Sequence, residues 1–239
     1  MDPTQFALSP ASTRSLDTAP HDSSRQHSFG VSSAIVIPAG LAISAFAALF
    51  LVDRPLAGLL KTTSLPDGID KFLEAAEHFG TFYGHVLAFL LIAALDPAHR
   101  RHLVRIAAAA WSAGLAANVI KLAIARTRPK YFDFTSLTAG HGFLGFAPGL
   151  PGGSRIQSFP SAHTATAVAF AVALAHVYPK GRGVFYLFAA LVGLQRIATS
   201  SHFASDILAG AVVGWLVGHA FTTNNRLTRR LDSFEAITP

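Results

Sequence analysis

The stretch Arg196-Ile-Ala-Thr-Ser-Ser-His202-Phe-Ala-Ser-Asp206 sets a guanidinium, an imidazole and a carboxylate between two apolar runs. Ionisable groups are costly in such surroundings, and those kept there mark functional sites. His202 and Asp206 are four apart, so on a helix they share a face. The carboxylate would then hold one ring nitrogen and leave the other free as base or nucleophile. Two further pieces carry matching chemistry. Lys121-Leu-Ala-Ile-Ala-Arg-Thr-Arg128-Pro129 places Lys and Arg seven apart, two helical turns, with Pro129 expected to end the helix. Phe159-Pro160-Ser161-Ala162-His163 opens a helix, whose unpaired N-terminal N–H groups suit an anion.

Taken together, Lys121, Arg128, Arg196 and the Ser161 hydroxyl surround His163, His202 and Asp206. A phosphoryl group in transfer needs these parts: donors for its equatorial oxygens, an in-line nucleophile and an acid for the leaving oxygen. The residue types also allow a metal triad of His163, His202 and Asp206, but three fixed cations beside it oppose a bound metal ion. A Ser161 nucleophile with His163 as base is opposed by their spacing, because residues two apart on a helix do not face each other.

The elements that must position these groups are hydrophobic. Of 239 residues, 51% are hydrophobic and 13% charged, and the mean hydropathy is +0.42; an ordinary soluble domain has about 25% charged residues. An all-α integral membrane protein is expected, without a solenoid repeat. With no cysteine, disulfide and thiolate chemistry are excluded. The net charge of +6 is not concentrated in a basic, aromatic-interleaved run, which argues against nucleic acid as a partner.

Residues 1–30, rich in Ser, Thr, Pro, Asp and His, read as a mobile tail. Apolar runs of near-membrane length predict six spanning helices: Val31–Val52, Gly80–Leu95, Leu103–Ala125, Ser161–Tyr178, Gly183–Ile197 and Asp206–Phe221. Between the first two, Asp53–Phe79 mixes charges with Leu and Phe at helical spacing and predicts one interfacial amphipathic helix. Residues 223–239 read as a C-terminal tail. The bias of Lys and Arg in short loops puts Arg100, Arg101, Arg105, Lys180, Arg182, Arg226, Arg229 and Arg230 on the cytoplasmic side, with both termini. Lys121, Arg126, Arg128, Lys130, Arg155 and Arg196 then fall on the opposite side, where a substrate site would account for them. The connection from Thr127 to Pro160 contains Gly140, Gly142, Gly145, Gly149, Gly152, Gly153, Pro148 and Pro151, the composition of a long binding loop. Its aromatics Tyr131, Phe132, Phe134, Phe143 and Phe146 suit an interface, a lipid contact or simple loop packing.

The order Lys-x6-Arg-Pro, Pro-Ser-x-His, Arg-x5-His-x3-Asp, set between hydrophobic helices, resembles the tripartite signature of the type 2 phosphatidic acid phosphatase family, which includes the vanadium-dependent haloperoxidases. The resemblance covers about residues 80–222. It implies a six-helix membrane phosphatase domain over 31–222, with no metal or other cofactor, that works through a phosphohistidine. By the same resemblance His202 attacks phosphorus, Asp206 fixes its tautomer, His163 protonates the leaving group, and Lys121, Arg128, Ser161 and Arg196 hold phosphate. Two positions depart from the family pattern: Ala162 stands where glycine is usual and Gln195 where serine is usual.

The function expected is removal of phosphate from a lipid phosphomonoester or diphosphate in a bacterial inner membrane, with the site facing the periplasm. Phosphatidate, phosphatidylglycerol phosphate, undecaprenyl diphosphate and the lipid A phosphates are all candidate substrates. A vanadate haloperoxidase, a transporter and a non-catalytic lipid-binding relative are the alternatives; clustering of the charges at helix ends opposes transport. Outside the motifs, Arg126 and Lys130 are expected to face water or headgroups, and His102 to contact headgroups. His85, His176 and His219 read as satisfied polar residues, while His141 stays in reserve for the site. Gly210 and Gly214 read as close helix packing.

Overall fold

The structure, a computed structural model, describes residues 24–63, 65–135, 140–146, 153–223 and 225–237, with side chains from Ile35 to Ala236. Each apolar run forms a helix: α1 (Ser24–Leu51), α4 (Phe82–Leu95), α5 (Leu103–Ala123), α6 (Ala162–Val177), α7 (Arg182–Ala198) and α8 (Ala204–Thr222). Among the described residues, Pro97–Ala123 and Ala204–Thr222 are long and apolar enough to cross a membrane. The number rises to four if α1 and α4 are each counted with the helix bent away from it. Six is therefore the number of apolar helices and not of full-length spans. The 16 residues of α6, at 1.5 Å rise, cover about 24 Å of a hydrocarbon layer near 30 Å. Large side chains such as Ile43, Phe46, Leu90 and Leu115 face outward, as they do where the solvent is lipid.

The single interfacial helix expected over Asp53–Phe79 is two helices, α2 (Asp53–Thr62) and α3 (Asp67–Glu77), followed by a 3-10 turn over His78–Gly80. Pro66 is extended, at φ −56° and ψ 137°, and cannot continue α2. The segment Ile35–Leu51 meets α2 at 62°, and Asp67–Gly80 meets α4 at 71°. Residues 1–23 of the expected N-terminal tail lie outside the described residues, and helix α1 already runs from Ser24. Part of the expected C-terminal tail is a helix, α9 (Arg226–Ile237). Its Glu235 and Asp232 pair with the buried Arg105, with Glu235 Oε1 2.7 Å from Arg105 Nε.

Helix α6 is the centre. Ala165, Ala167, Ala169, Phe170 and Ala171 are at most 1% exposed, and α5, α7 and α8 pack around it. Phe170, Ala173 and Leu174 meet Ile106, Ala109 and Ala110 of α5 on one side, while Ala167 and Ala171 meet Ala189 and Val192 of α7 on another. Small residues let these backbones approach closely, as membrane helices do without a hydrophobic drive between them. On α8 the expected glycine packing is present: a Cβ on Gly210 would lie 2.4 Å from the Ser161 carbonyl oxygen, and one on Gly214 2.4 Å from that of Ala165. This closeness brings the starts of α6 and α8 together.

The substitution Gly214→Ala should therefore cost about 1–3 kcal/mol of stability. Gly40→Ala on α1, where a Cβ meets nothing within 4 Å, should be neutral or stabilising by up to about 1 kcal/mol. Thermal unfolding of the two variants in the same detergent tests the contrast.

Candidate active site

Helix α7 ends at Ala198, and the chain folds back so that Ser201 N and His202 N both donate to the Arg196 carbonyl, at 3.1 and 3.2 Å. His202 thus sits in a turn before α8, whereas Asp206 occupies the first turn of that helix. The pair does not share a helix face as its spacing suggested. The carboxylate stands 3.8 Å from His202 Nδ1; the ring instead donates from Nδ1 to the carbonyl oxygen of Ser158 at 2.7 Å. A carbonyl only accepts, so this contact places the proton on Nδ1 and leaves the Nε2 lone pair free. Asp206 grips the same serine, with its Oδ2 accepting from Ser158 Oγ at 2.6 Å and from Phe203 N at 2.8 Å. Burial pushes His202 below the ordinary histidine range, against the pull of the nearby carboxylate, which keeps the ring neutral at neutral pH.

The other motif residues converge on this turn. Ser161, fully buried, caps α6 by accepting from Thr164 N at 3.4 Å, and its own N–H donates to the Asp206 carbonyl at 3.0 Å. His163 follows in the first turn of α6. Arg196, His202, Lys121 and Arg128 all act electrostatically on His163. Lys121 lies in the last turn of α5, but Arg128 is not on that helix. After Ala123 the chain forms strand β1 (Ile124–Arg126), antiparallel to β2 (Phe143–Phe146) of the glycine-rich connection. The ribbon takes up the backbone hydrogen bonds that a longer helix would have used. It ends at a turn where Lys130 N donates to the Ser200 carbonyl at 3.1 Å, which seats the Arg128 loop against the His202 turn. Arg128 Nε is buried without a hydrogen-bond partner among the described residues, a donor available to an anion.

The two departures from the family pattern have defined places. The Gln195 amide oxygen accepts from Arg196 Nε at 2.6 Å, and the Ala162 methyl packs toward Ala113, Ala117, Ala165 and Ala169. In the connection, Gly140, Gly142, Gly145 and Gly153 have positive φ, whereas Gly149, Gly152, Pro148 and Pro151 lie outside the described residues. Phe132 is buried against Ala57 and Phe203, while Phe146 is exposed.

Arg126 corrects the expectation of a solvated cation. It is fully buried: Nη1 meets Asp206 Oδ1 at 2.5 Å and Ser205 Oγ at 2.8 Å, Nη2 meets Asp53 Oδ2 at 2.7 Å, and Nε donates to the His141 carbonyl at 3.0 Å. The ring centroids of Phe143 and Phe203 lie 4.7 and 4.1 Å from its guanidinium carbon. Two carboxylates and two rings offset part of its desolvation. Lys130 is exposed, as expected. Asp53 was legible only as an acidic residue closing the first apolar run, a position that equally suits an interface. His102 Nδ1 pairs with Glu235 Oε2 at 2.9 Å, a partner on α9 that its sequence neighbourhood does not indicate. Of the remaining histidines, His85 Nε2 meets the Phe79 carbonyl and His219 Nδ1 that of Trp215, each at 3.0 Å, but His85 Nδ1 is buried without a partner among the described residues, so His85 is satisfied at one ring nitrogen only.

Replacing Arg126 with Leu would leave Asp53 and Asp206 as unpaired buried carboxylates, a loss of about 3–5 kcal/mol. Arg126→Lys should recover part of it at most, because one ammonium cannot fork between two carboxylates. Thermal unfolding of both variants checks the order.

A family model described as the PAP2 superfamily matches residues 102–229, more than half of the chain. Lipid A 1-phosphatase of Rhizobium johnstonii is 39% identical over 101 residues, 42% of this chain and 38% of the relative, so the chain spans well under two thirds of that protein. Decaprenylphosphoryl-5-phosphoribose phosphatase of Mycolicibacterium smegmatis is 34% identical over 165 residues, 69% of this chain and 79% of the relative. Among solved structures, Aquifex aeolicus LpxE superposes with a TM-score of 0.51 at 20% identity, covering 73% of this chain and 97% of that one, a likeness of fold. With the family model spanning the helices that carry all three motifs, the chain belongs to the PAP2 superfamily.

Proposed function

We propose that this chain is an integral membrane lipid phosphatase that transfers the phosphoryl group to His202 and then to water. The observation that carries the reading is the meeting of the motif residues in space: Ser161 N donates to the Asp206 carbonyl at 3.0 Å, His202 Nδ1 is held by the Ser158 carbonyl at 2.7 Å, and Arg196 and His163 face one carboxylate, Glu77, at 2.6 and 3.6 Å. In the first step His202 Nε2 forms a bond to phosphorus as the bond from phosphorus to the lipid oxygen breaks. His163, whose charged form the negative phosphate of a bound substrate favours, gives its proton to the departing oxygen. Lys121, Arg128, Arg196 and Ser161 hold the phosphoryl oxygens, where fixed cations stabilise the spreading charge without reorganising. In the second step water, deprotonated by His163, attacks phosphorus and frees His202 and inorganic phosphate. Asp206 steadies the imidazolium that forms at His202, from 3.8 Å and through Ser158.

The relatives act, by name, on a lipid A phosphate and on a decaprenylphosphoryl phosphoribose. They support a lipid-anchored phosphomonoester as substrate, and the first of them makes a lipid A phosphate the leading candidate. The arginine-rich turn around Arg105, paired with α9, lies toward the opposite helix ends from the motif residues. That separation supports cytoplasmic termini and a site facing the periplasm of a bacterial inner membrane.

Phosphate release from a panel of lipid phosphates in detergent tests the mechanism: His202→Ala should abolish release, and a divalent-metal chelator should leave the wild type unchanged. Retained release in the variant, or loss with chelator, would remove the phosphohistidine. Since burial holds His202 low, the acid limb of the pH–rate profile, where the nucleophile becomes protonated, should fall below the ordinary histidine value. A topology reporter fused after Pro239 should report cytoplasm.

A further inference from the structure

Helix α3 exposes Asp67, Lys71 and Glu74, as an amphipathic surface helix does, yet its last residue turns inward. The Glu77 side chain is 22% exposed; Oε2 lies 2.6 Å from Arg196 Nη2, and Oε1 faces His163 Nε2 at 3.6 Å. The backbone beside it makes the reach possible: a Cβ on Gly80 would stand 2.8 Å from the His163 carbonyl oxygen, so the turn after α3 rests directly on the start of α6. Arg196 is consequently held at two points, Nε by Gln195 Oε1 and Nη2 by Glu77. A carboxylate on a cation that is to receive phosphate has the sign of the ligand itself.

We propose that Glu77 is a positioning residue of the phosphate pocket, a resident anion that holds the Arg196 guanidinium in the substrate-free protein and competes with phosphate for it. The proposal rests on the reading of this pocket as a phosphate site. A phosphate dianion arriving at Lys121, Arg128 and Arg196 meets Glu77 at short range, where like charges in a partly desolvated site repel strongly. Glu77 thereby limits how tightly the product is held, while it keeps Arg196 aimed for the transferring group. An ion pair that merely tied α3 to α7 would affect stability and leave phosphate affinity alone.

The test uses the full chain purified in detergent, measuring hydrolysis of a lipid phosphate and its inhibition by added inorganic phosphate. For Glu77→Gln the inhibition constant of phosphate should fall about tenfold, kcat should fall, and KM should not rise. An unchanged or larger inhibition constant overturns the proposal. If Glu77→Gln does not yield folded protein, Glu77→Asp is read the same way, because its shorter side chain withdraws the charge from Arg196: a lower constant supports the proposal and an equal one overturns it. A wild type that releases no phosphate, or that added phosphate does not inhibit, overturns the phosphate-site reading and this inference together. An active, phosphate-inhibited wild type with an indifferent variant overturns this inference alone.

Discussion

The site depends on one buried guanidinium. Arg126 ties Asp53, where α1 gives way to α2, to Ser205 and Asp206 at the start of α8 and to the backbone of the glycine-rich connection at His141. A buried ion pair is no proof of net stabilisation, since desolvation consumes much of the attraction. Its value here is geometric, because the carboxylate it fixes at 206 also holds Ser158, and Ser158 orients His202. Displacement of Arg126 would thus be felt at the imidazole three contacts away, through Asp206 and Ser158.

Around that point the molecule separates polar from apolar work. Alanine and glycine fill the middle, where α6 lies against α5, α7 and α8. Polar clusters sit beyond it at both ends. At one, Arg105, His102, Asp232 and Glu235 lock α9 to the start of α5; at the other stand the motif residues. Small side chains in the middle allow the close approach that lets residues from α3, α5, α6 and α7 share one pocket.

Much of this was legible in sequence, and the rest was hidden for definite reasons. Apolar runs located six helices to within a few residues at most of their ends, because an apolar stretch of near-hydrocarbon length has few competing explanations. The residue set from Lys121 to Asp206 was recognisable because its order and spacing are specific. Arg126 matches no motif position and so reads as a solvated cation; the strand that carries it into the interior depends on pairing with Phe143–Phe146, a nonlocal fact. Asp53 and Glu77 find partners 73 and 119 positions away, Arg126 and Arg196 respectively, and nothing in their neighbourhoods marks them. Ser158 orients His202 through its main-chain oxygen, which any residue type could supply, and its hydroxyl finds Asp206 48 positions away, so neither contact shows in the local sequence.

The family match begins at residue 102, and both carboxylates that neutralise the site's arginines from outside the motifs, Asp53 and Glu77, precede it. The motif residues and these two counter-charges therefore lie in different stretches of chain, the former inside the family match and the latter before it. Two proteins with identical motifs can differ in the net charge of the pocket through changes confined to the first third of the sequence. A substitution at either position would change the charge around a shared set of residues without altering one of them.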